Sequence, residues 1–422
     1  MTDPLPTNRR VPNRRVVVIC PHFDPDTAPT GVVMSRIVHE LVALGDEVHV
    51  VTSLPWYRTH AIEAGWTGRL VRREVTPWGS ISRVHPFPGD DKTDLPRRAL
   101  GFLGYTALAG VEALRIGGPL SRVDAVIAMS PPITLGLTGW LVSRLRRGRM
   151  IFNIQDVFPD AAVETGAITN RWVVSAARRL ERMSYRRSDA VTVLSDDLAD
   201  NVRGKLPPSL GGRVHVIPNF VDTGAIVPGD RITGYRAELG LGDEPIVLYA
   251  GNVGFSQSLD LMLAAAREIP EATFLVNGDG AARPALERAA AGLANVRFAG
   301  YIEPSRLSEL LATGDVHVVV LKRGLARVSV PSKTYSIMAA ARPVLASIDP
   351  ATAVPTILEQ SGGGLAVAPD EPVAFVRAVR ELLADPVAAE AMGRRGRAWV
   401  EREASPAAVG AAYHQLIDSL AR

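Results

Sequence analysis

Between Leu321 and Ser347 the chain carries Lys322-Arg323, a loop with Gly324, and then Pro331-Ser332-Lys333 ahead of an apolar, helix-like run. Proline at a first helical position fixes φ and gives up an N–H that has no intrahelical acceptor, so the spacing predicts a helix opening at Pro331. Ser332 and Lys333 then stand at the positive end of the helix dipole. A phosphate is favoured there by about 0.3 to 1 kcal/mol, and by ~2 kcal/mol when partly buried. An ammonium adds a charge-assisted hydrogen bond of roughly 1.5 to 3 kcal/mol. Of the 47 basic residues only four are lysines, Lys92, Lys205, Lys322 and Lys333, and two fall in this segment. Lysine is a compact, mobile charge where arginine is a planar fork. A lysine solvated beside a helix start explains the same residues.

Other loops hold the right residue types. Gly251-Asn252-Val253-Gly254 follows a strand pattern and precedes a helix expected from Gln257, with Leu259, Leu263 and Ala266 on one face. It reads equally as a phosphate loop or as a structural turn. It lacks the full spacing of the dinucleotide fingerprint, which argues against a nicotinamide cofactor. The first loop, Pro21 to Gly31, contains Asp24-Pro25-Asp26, and Gly31 permits close approach to a helix start. Turn chemistry accounts for this Asp-x-Asp better than a metal does. Asp156 follows a strand, with Phe158, Pro159 and Asp160 behind it. An aspartate there is placed to orient or deprotonate a hydroxyl, and the same position suits a helix cap. His49, His215 and His317 lie inside strand patterns and no zinc spacing occurs, which leaves His22 as the histidine in a site loop.

The elements that must position these residues alternate between β and α, which predicts parallel sheets. In the first half, strands are expected at Val16 to Cys20, Glu47 to Thr52, Ala125 to Met129, Met150 to Gln155, Ala190 to Leu194 and Val214 to Pro218, with a helix from Gly31 to Leu44. A second series runs Pro245 to Tyr249, Ala272 to Asn277, Val296 to Phe298, Val316 to Leu321, Pro343 to Ser347 and Leu365 to Val367. The expected organisation is a disordered basic tail (1–14), an N-terminal Rossmann-like domain (15–222), a Gly/Asp/Pro-rich linker (223–244), a C-terminal domain (245–400) and a final helix (401–422) packing back on the first domain. The fold class is α/β, two doubly wound domains facing across a cleft, since ligands bind beyond the carboxyl ends of such strands.

Composition narrows the function classes. A chain of 422 residues, 47% hydrophobic and 22% charged, supports two or three domains with full cores. One cysteine excludes a disulfide and points to the reducing cytoplasm. The uncharged run Ala125 to Ser143 is cut by Pro131 and Pro132, so it reads as strand, turn and helix rather than a membrane span. Residues 1–222 hold 28 Lys+Arg against 22 Asp+Glu, and residues 223–422 hold 19 against 22. That asymmetry is too weak for nucleic acid and suits an anionic small molecule or a lipid surface.

In this order the pieces resemble glycosyltransferase family 4 of the GT-B fold, most closely its bacterial envelope-polysaccharide branch of the WcaI/WbuB type. The carriers are Gly31, Gln155 to Asp160, Ile217-Pro218-Asn219, Tyr249 to Gly254, Asn277-Gly278-Asp279-Gly280, and Val330 to Tyr335 with Arg342-Pro343-Val344. The resemblance implies a nucleotide-sugar donor on the C-terminal domain, contacted by Gly31, Gly251, Asn252, Gly254, Gln257, Gly278, Gly280, Lys322, Arg327, Ser332 and Lys333. It implies an acceptor on the N-terminal domain, retention of configuration, and no cofactor or essential metal. Asp156 and Lys333 are the expected catalytic residues, with hinges near 219–244 and 395–405.

Three departures from the family pattern stand out. Val328 and Ser336 replace two family glutamates, and Asn252 and Gln257 replace an arginine and a lysine, leaving Lys322, Arg327 and Lys333 to supply the charge. Gln155-Asp156 replaces a histidine. The acceptor is expected to be a glycan or a polyprenyl- or lipid-linked sugar. Arg97-Arg98 before the apolar stretch Ala99 to Leu114, and Arg171, Arg178, Arg179, Arg182, Arg186 and Arg187 around Trp172, suggest peripheral attachment to the inner face of an anionic membrane. A core helix and a solvated face explain those residues too. The reading is a cytoplasmic, membrane-peripheral retaining transferase using a UDP-sugar. Its alternatives are a UDP-N-acetylglucosamine 2-epimerase-like isomerase and an inert sugar-nucleotide-binding subunit.

Overall fold

The computed structural model describes residues 14–58, 61–88, 95–160, 170–325 and 331–421. The tail to residue 13, Arg327, Val328 and Val330, and the side chains of Arg97 and Arg98, lie outside what is described. The chain forms two compact units, 1–218 with 409–422, and 219–408.

Unit 1 is built on β1 (Arg15–Ile19), β2 (Glu47–Ser53), β3 (Val71–Thr76), β4 (Gly79–Val84), β5 (Ala125–Ser130), β6 (Arg149–Ile154), β7 (Ala190–Val193) and β8 (Val214–Val216). Their order in the sheet is β3-β4-β2-β1-β5-β6-β7-β8. Every neighbouring pair is parallel except β3 with β4. Central strands buried on both faces read as continuous apolar runs, so β1, β5 and β6 fall within a residue or two of their expected positions. The β3–β4 hairpin is a finding that the strand pattern missed. Arg72, Arg73 and Glu74 occupy the edge strand β3, where charge blunts further pairing and hides the alternation.

Unit 2 is built on β9 (Ile246–Ala250), β10 (Thr273–Asn277), β11 (Val296–Ala299), β12 (Val316–Val320), β13 (Val344–Ser347) and β14 (Gly364–Val367). The order is β11-β10-β9-β12-β13-β14, with all pairs parallel. The Gly/Asp/Pro-rich stretch from 219 onward is not bare chain. Gly234–Glu238 is helical, and Arg236, fully buried, donates to the Thr313, Gly242 and Glu244 carbonyls and to Asp315. Arg397 donates to the carbonyls of Thr223, Ile226 and Ala339, tying that stretch to the helices of unit 2.

The helix Pro406–Ala421 begins in unit 2 and ends in unit 1. There the buried Tyr413 hydroxyl accepts from Asn153 at 2.6 Å, and Gln155 donates to the Asn153 Oδ1 at 2.9 Å. A buried amide and phenol satisfy each other in this way, sparing the desolvation cost of about 1–3 kcal/mol per unpaired group. Among the described residues no helix is long and apolar enough to cross a membrane.

Candidate functional site

In unit 2 the sheet grows from β9 in both directions, to β10 on one side and β12 on the other. That reversal is the switch point where an open α/β sheet leaves a crevice at its carboxyl ends. Three segments emerge there, the loops after β9, β10 and β12.

The loop after β9 is Gly251 to Ser258, and the loop after β10 is Gly278 to Gly280. Gly251 N–H donates to the Asn277 carbonyl at 2.9 Å, and Val253 N–H to the Asp279 carbonyl at 2.8 Å. Gly278 (φ 150°) passes so close that a Cβ would lie 1.9 Å from the Gly251 oxygen, and Gly280 (φ 155°) would meet the Val253 oxygen at 2.4 Å. No other residue type fits either position. Gln257 Oε1 accepts the Gly254 N–H at 3.0 Å and closes the turn. The helix expected from Gln257 begins instead at Asp260 and runs to Glu268, because residues 254–257 are spent on that turn. Leu259, Leu263 and Ala266 are buried against the core as the pattern required.

The segment after β12 brings Lys333 onto this loop. Its Nζ donates to the Tyr249 hydroxyl at 3.0 Å and stands 4.1 Å from the centre of the Tyr249 ring. A Cβ on Gly251 would lie 3.2 Å from the same Nζ. Desolvation lowers the ammonium pKa to about 8. The Tyr249 hydroxyl in turn donates to the Asn252 carbonyl at 2.6 Å. The helix expected to open at Pro331 opens at Lys333 and ends at Ala339, with Pro331 and Ser332 ahead of it. At seven residues its dipole is weak, and the Lys333 ammonium adds a full charge at this place.

Ser332 is exposed, and its carbonyl accepts the Tyr335 N–H. Lys322 is also exposed, and its backbone N–H donates to the Ser256 carbonyl at 2.9 Å, pinning the end of β12 to the Gly251 loop. Phe255, within the first of these loops, and Tyr301, whose hydroxyl donates to the Asp279 carbonyl at 3.1 Å, are both about two-thirds exposed (68% and 65%). Neither was picked out by residue type, because only burial distinguishes an aromatic left uncovered at a loop from one in the core.

In unit 1, strand order reverses between β1 and β5. Gly31 lets its helix, Pro29–Ala43, seat against the loop after β1, where a Cβ would come within 2.8 Å of His22 Cβ. The Asp24-Pro25-Asp26 carboxylates do not converge: Asp26 Oδ2 lies 2.7 Å from His22 Nδ1, while Asp24 is exposed. Asp156 follows β6 with its side chain exposed, yet the protein around it desolvates the carboxyl enough to hold it above the usual carboxylate range. Among the described residues its side chain caps no helix, and the Phe158 N–H bonds its backbone carbonyl. Asp160 is engaged structurally, accepting from Lys205 Nζ at 2.6 Å beside Glu181. Burial acts to raise the Asp160 carboxyl, and the Lys205 pairing outweighs it, leaving the group below its ordinary range. Among the described residues no three His, Cys, Asp or Glu side chains gather as a metal site.

Two domain profiles cover most of the chain, a glycosyl transferase 4-like domain over residues 30–219 and a glycosyl transferases group 1 domain over 244–385. The chain is 26% identical over 383 residues to the colanic acid biosynthesis glycosyl transferase WcaI of Escherichia coli K12, covering 87% of this chain and 92% of that protein. Sucrose-phosphate synthase from Thermosynechococcus elongatus superposes with a TM-score of 0.70 at 21% identity, over 96% of this chain and 99% of that one. Anabaena HepE, solved with UDP, superposes with a TM-score of 0.68 at 13% identity, over 96% of this chain and 100% of that one. The class is therefore an enzyme of the GT-B fold, two α/β units in series. Within that class the chain belongs to the glycosyltransferases that join a transferase 4-like domain to a group 1 domain.

Proposed function

We propose that this glycosyltransferase transfers a sugar, with retention, from a UDP-sugar to an envelope glycan or lipid-linked acceptor. The observation that carries the donor assignment is Lys333, a desolvated ammonium held over a glycine loop at the switch point of unit 2. Charge develops on a departing diphosphate, and a fixed cation stabilises it without a protein nucleophile or metal. Gly251 and Gly278 let the backbone approach the phosphates, Lys322 and Ser332 lie at the rim, and Arg327 adds charge from outside the described residues. The UDP bound by HepE supports the donor class, and the part of WcaI in colanic acid biosynthesis supports the acceptor class.

On unit 1, Asp156 orients or polarises the acceptor hydroxyl; its raised pKa suits a carboxylate that takes part in proton movement. The helix Arg171–Arg187 presents arginines along an exposed face, with Trp172 78% exposed at its start. That face suits peripheral attachment to an anionic leaflet on the cytoplasmic side. Incubation with UDP-, GDP- and dTDP-sugars tests the reading. A transferase releases nucleotide diphosphate by slow donor hydrolysis, an epimerase alters the sugar, and an inert binding subunit does neither; either of the last two results refutes the proposal.

A further inference from the structure

At the carboxyl ends of β1 and β2, unit 1 holds a histidine that none of the roles above uses. His22 Nδ1 lies 2.7 Å from Asp26 Oδ2. Asp26 is itself buried, and its other oxygen accepts the Tyr57 backbone N–H at 3.3 Å. The imidazole stacks on Trp56, with ring centres 5.7 Å apart and planes at 27°, and Tyr57 meets it edge-on at 5.5 Å. Behind it stands Gly31, whose missing side chain lets the helix backbone close on His22 Cβ.

The ring is therefore fixed from four sides, yet the side chain keeps 12% of its surface, and Nε2 has no hydrogen-bond partner among the described residues. A carboxylate that accepts from Nδ1–H selects the tautomer in which Nε2 presents a lone pair. An oriented acceptor atom beside the exposed ring of Tyr57 matches a pyranose, whose C–H face packs on an aromatic ring while a hydroxyl donates at its edge. Packing alone does not require this arrangement, since a core histidine such as His317 spends its ring nitrogen on a backbone carbonyl.

We propose that His22 Nε2 accepts a hydrogen bond from a hydroxyl of the acceptor sugar, which packs on Tyr57, so that the loop after β1 selects the acceptor. Asp26 is a positioning residue that holds the tautomer. The proposal rests on the transferase reading above and adds the acceptor contact to it.

The test is steady-state transfer from the UDP-sugar to a panel of octyl pyranosides, with UDP affinity and melting temperature measured on every variant. His22→Ala is expected to raise the acceptor KM by about tenfold or more, with UDP affinity unchanged and kcat at saturating acceptor within about threefold. His22→Gln, whose amide oxygen reaches the Nε2 position, restores KM to near wild type. Asp26→Asn donates to Nδ1 and turns Nε2 into an N–H, so it behaves like His22→Ala despite its near-identical shape.

An acceptor KM unchanged in His22→Ala and Asp26→Asn overturns the proposal, as does a KM rise that His22→Gln fails to reverse. So does a wild-type enzyme that hydrolyses donor but glycosylates no pyranoside of the panel. Absence of any UDP-sugar turnover by the wild type instead overturns the transferase reading itself.

Discussion

Lys333 combines two features that favour opposite states, burial against Tyr249 and a proposed phosphate role that requires charge. Its pKa of about 8, against 10.5 for a free lysine, means that the unfolded chain binds more protons than the folded one between those values. Stability therefore rises with pH across that window, relieving the cost of a buried ammonium. On the proposed phosphate role, diphosphate affinity is expected to run the other way. It is full below about pH 8 and falls above it by up to about tenfold per unit, with proton uptake on binding. Calorimetry of UDP binding in buffers of different ionisation heat reads that uptake, and Lys333→Met is expected to abolish it. Lys333→Ala should weaken UDP-sugar binding or turnover by on the order of 10- to 150-fold, and Lys322→Ala by less. Full kinetics in Lys333→Ala would remove the phosphate role. At Asp156 the expected outcome of Asp156→Asn is retained UDP affinity with transfer cut by about 10²- to 10⁴-fold. Near-normal transfer would leave that carboxylate without a catalytic part.

At the scale of elements, the loops after β9 and β10 depend on backbone passing backbone. Gly278→Ala places a Cβ 1.9 Å from the Gly251 oxygen at a positive φ, so the loops after β9 and β10 cannot both keep their paths. A loss of at least about 1–3 kcal/mol follows from the strain alone, and thermal melts together with UDP titration should show stability and affinity falling together. The helix Arg171–Arg187 makes a different prediction. Arg179 and Arg182 are exposed, and at about 1 kcal/mol per basic residue near an anionic surface, Arg179→Glu with Arg182→Glu should weaken binding to phosphatidylglycerol vesicles by at least ~30-fold. Equal binding by the double variant, or equal wild-type binding to phosphatidylcholine vesicles, would make this an ordinary solvated face.

For the whole molecule, ligand binding to the native state raises stability by mass action. Millimolar UDP should raise the melting temperature while NAD does not, since the loop after β9 lacks the dinucleotide fingerprint. No shift with UDP would count against the donor assignment. The chain leaves unit 1 at Pro218 and re-enters it at Val409, and the Tyr413 bond to Asn153 closes that circuit. Tyr413→Phe should therefore destabilise unit 1, where Asn153 would lose a buried partner, by roughly 1–3 kcal/mol with UDP affinity retained, which paired melting and binding measurements would show.

The order of residues was enough for the α/β class, the two series of strands and the glycine-bearing loops. Parallel strands buried on both faces must be continuous apolar runs, and glycine alone tolerates the positive φ at Gly278 and Gly280. Helix starts were legible to within a turn. Gln257 and Pro331 lie just ahead of the observed starts at Asp260 and Lys333, since a turn and a first helical turn use the same residue types. The β3–β4 hairpin escaped because an edge strand needs no apolar alternation. Partners emerge only from the assembled fold: Tyr249 beneath Lys333, Lys205 against Asp160, and Asp26 behind His22. Spacing along a chain fixes which face of an element a residue occupies. What that face meets depends on sheet order, which brings residues 84 positions apart, Tyr249 and Lys333, within one hydrogen bond.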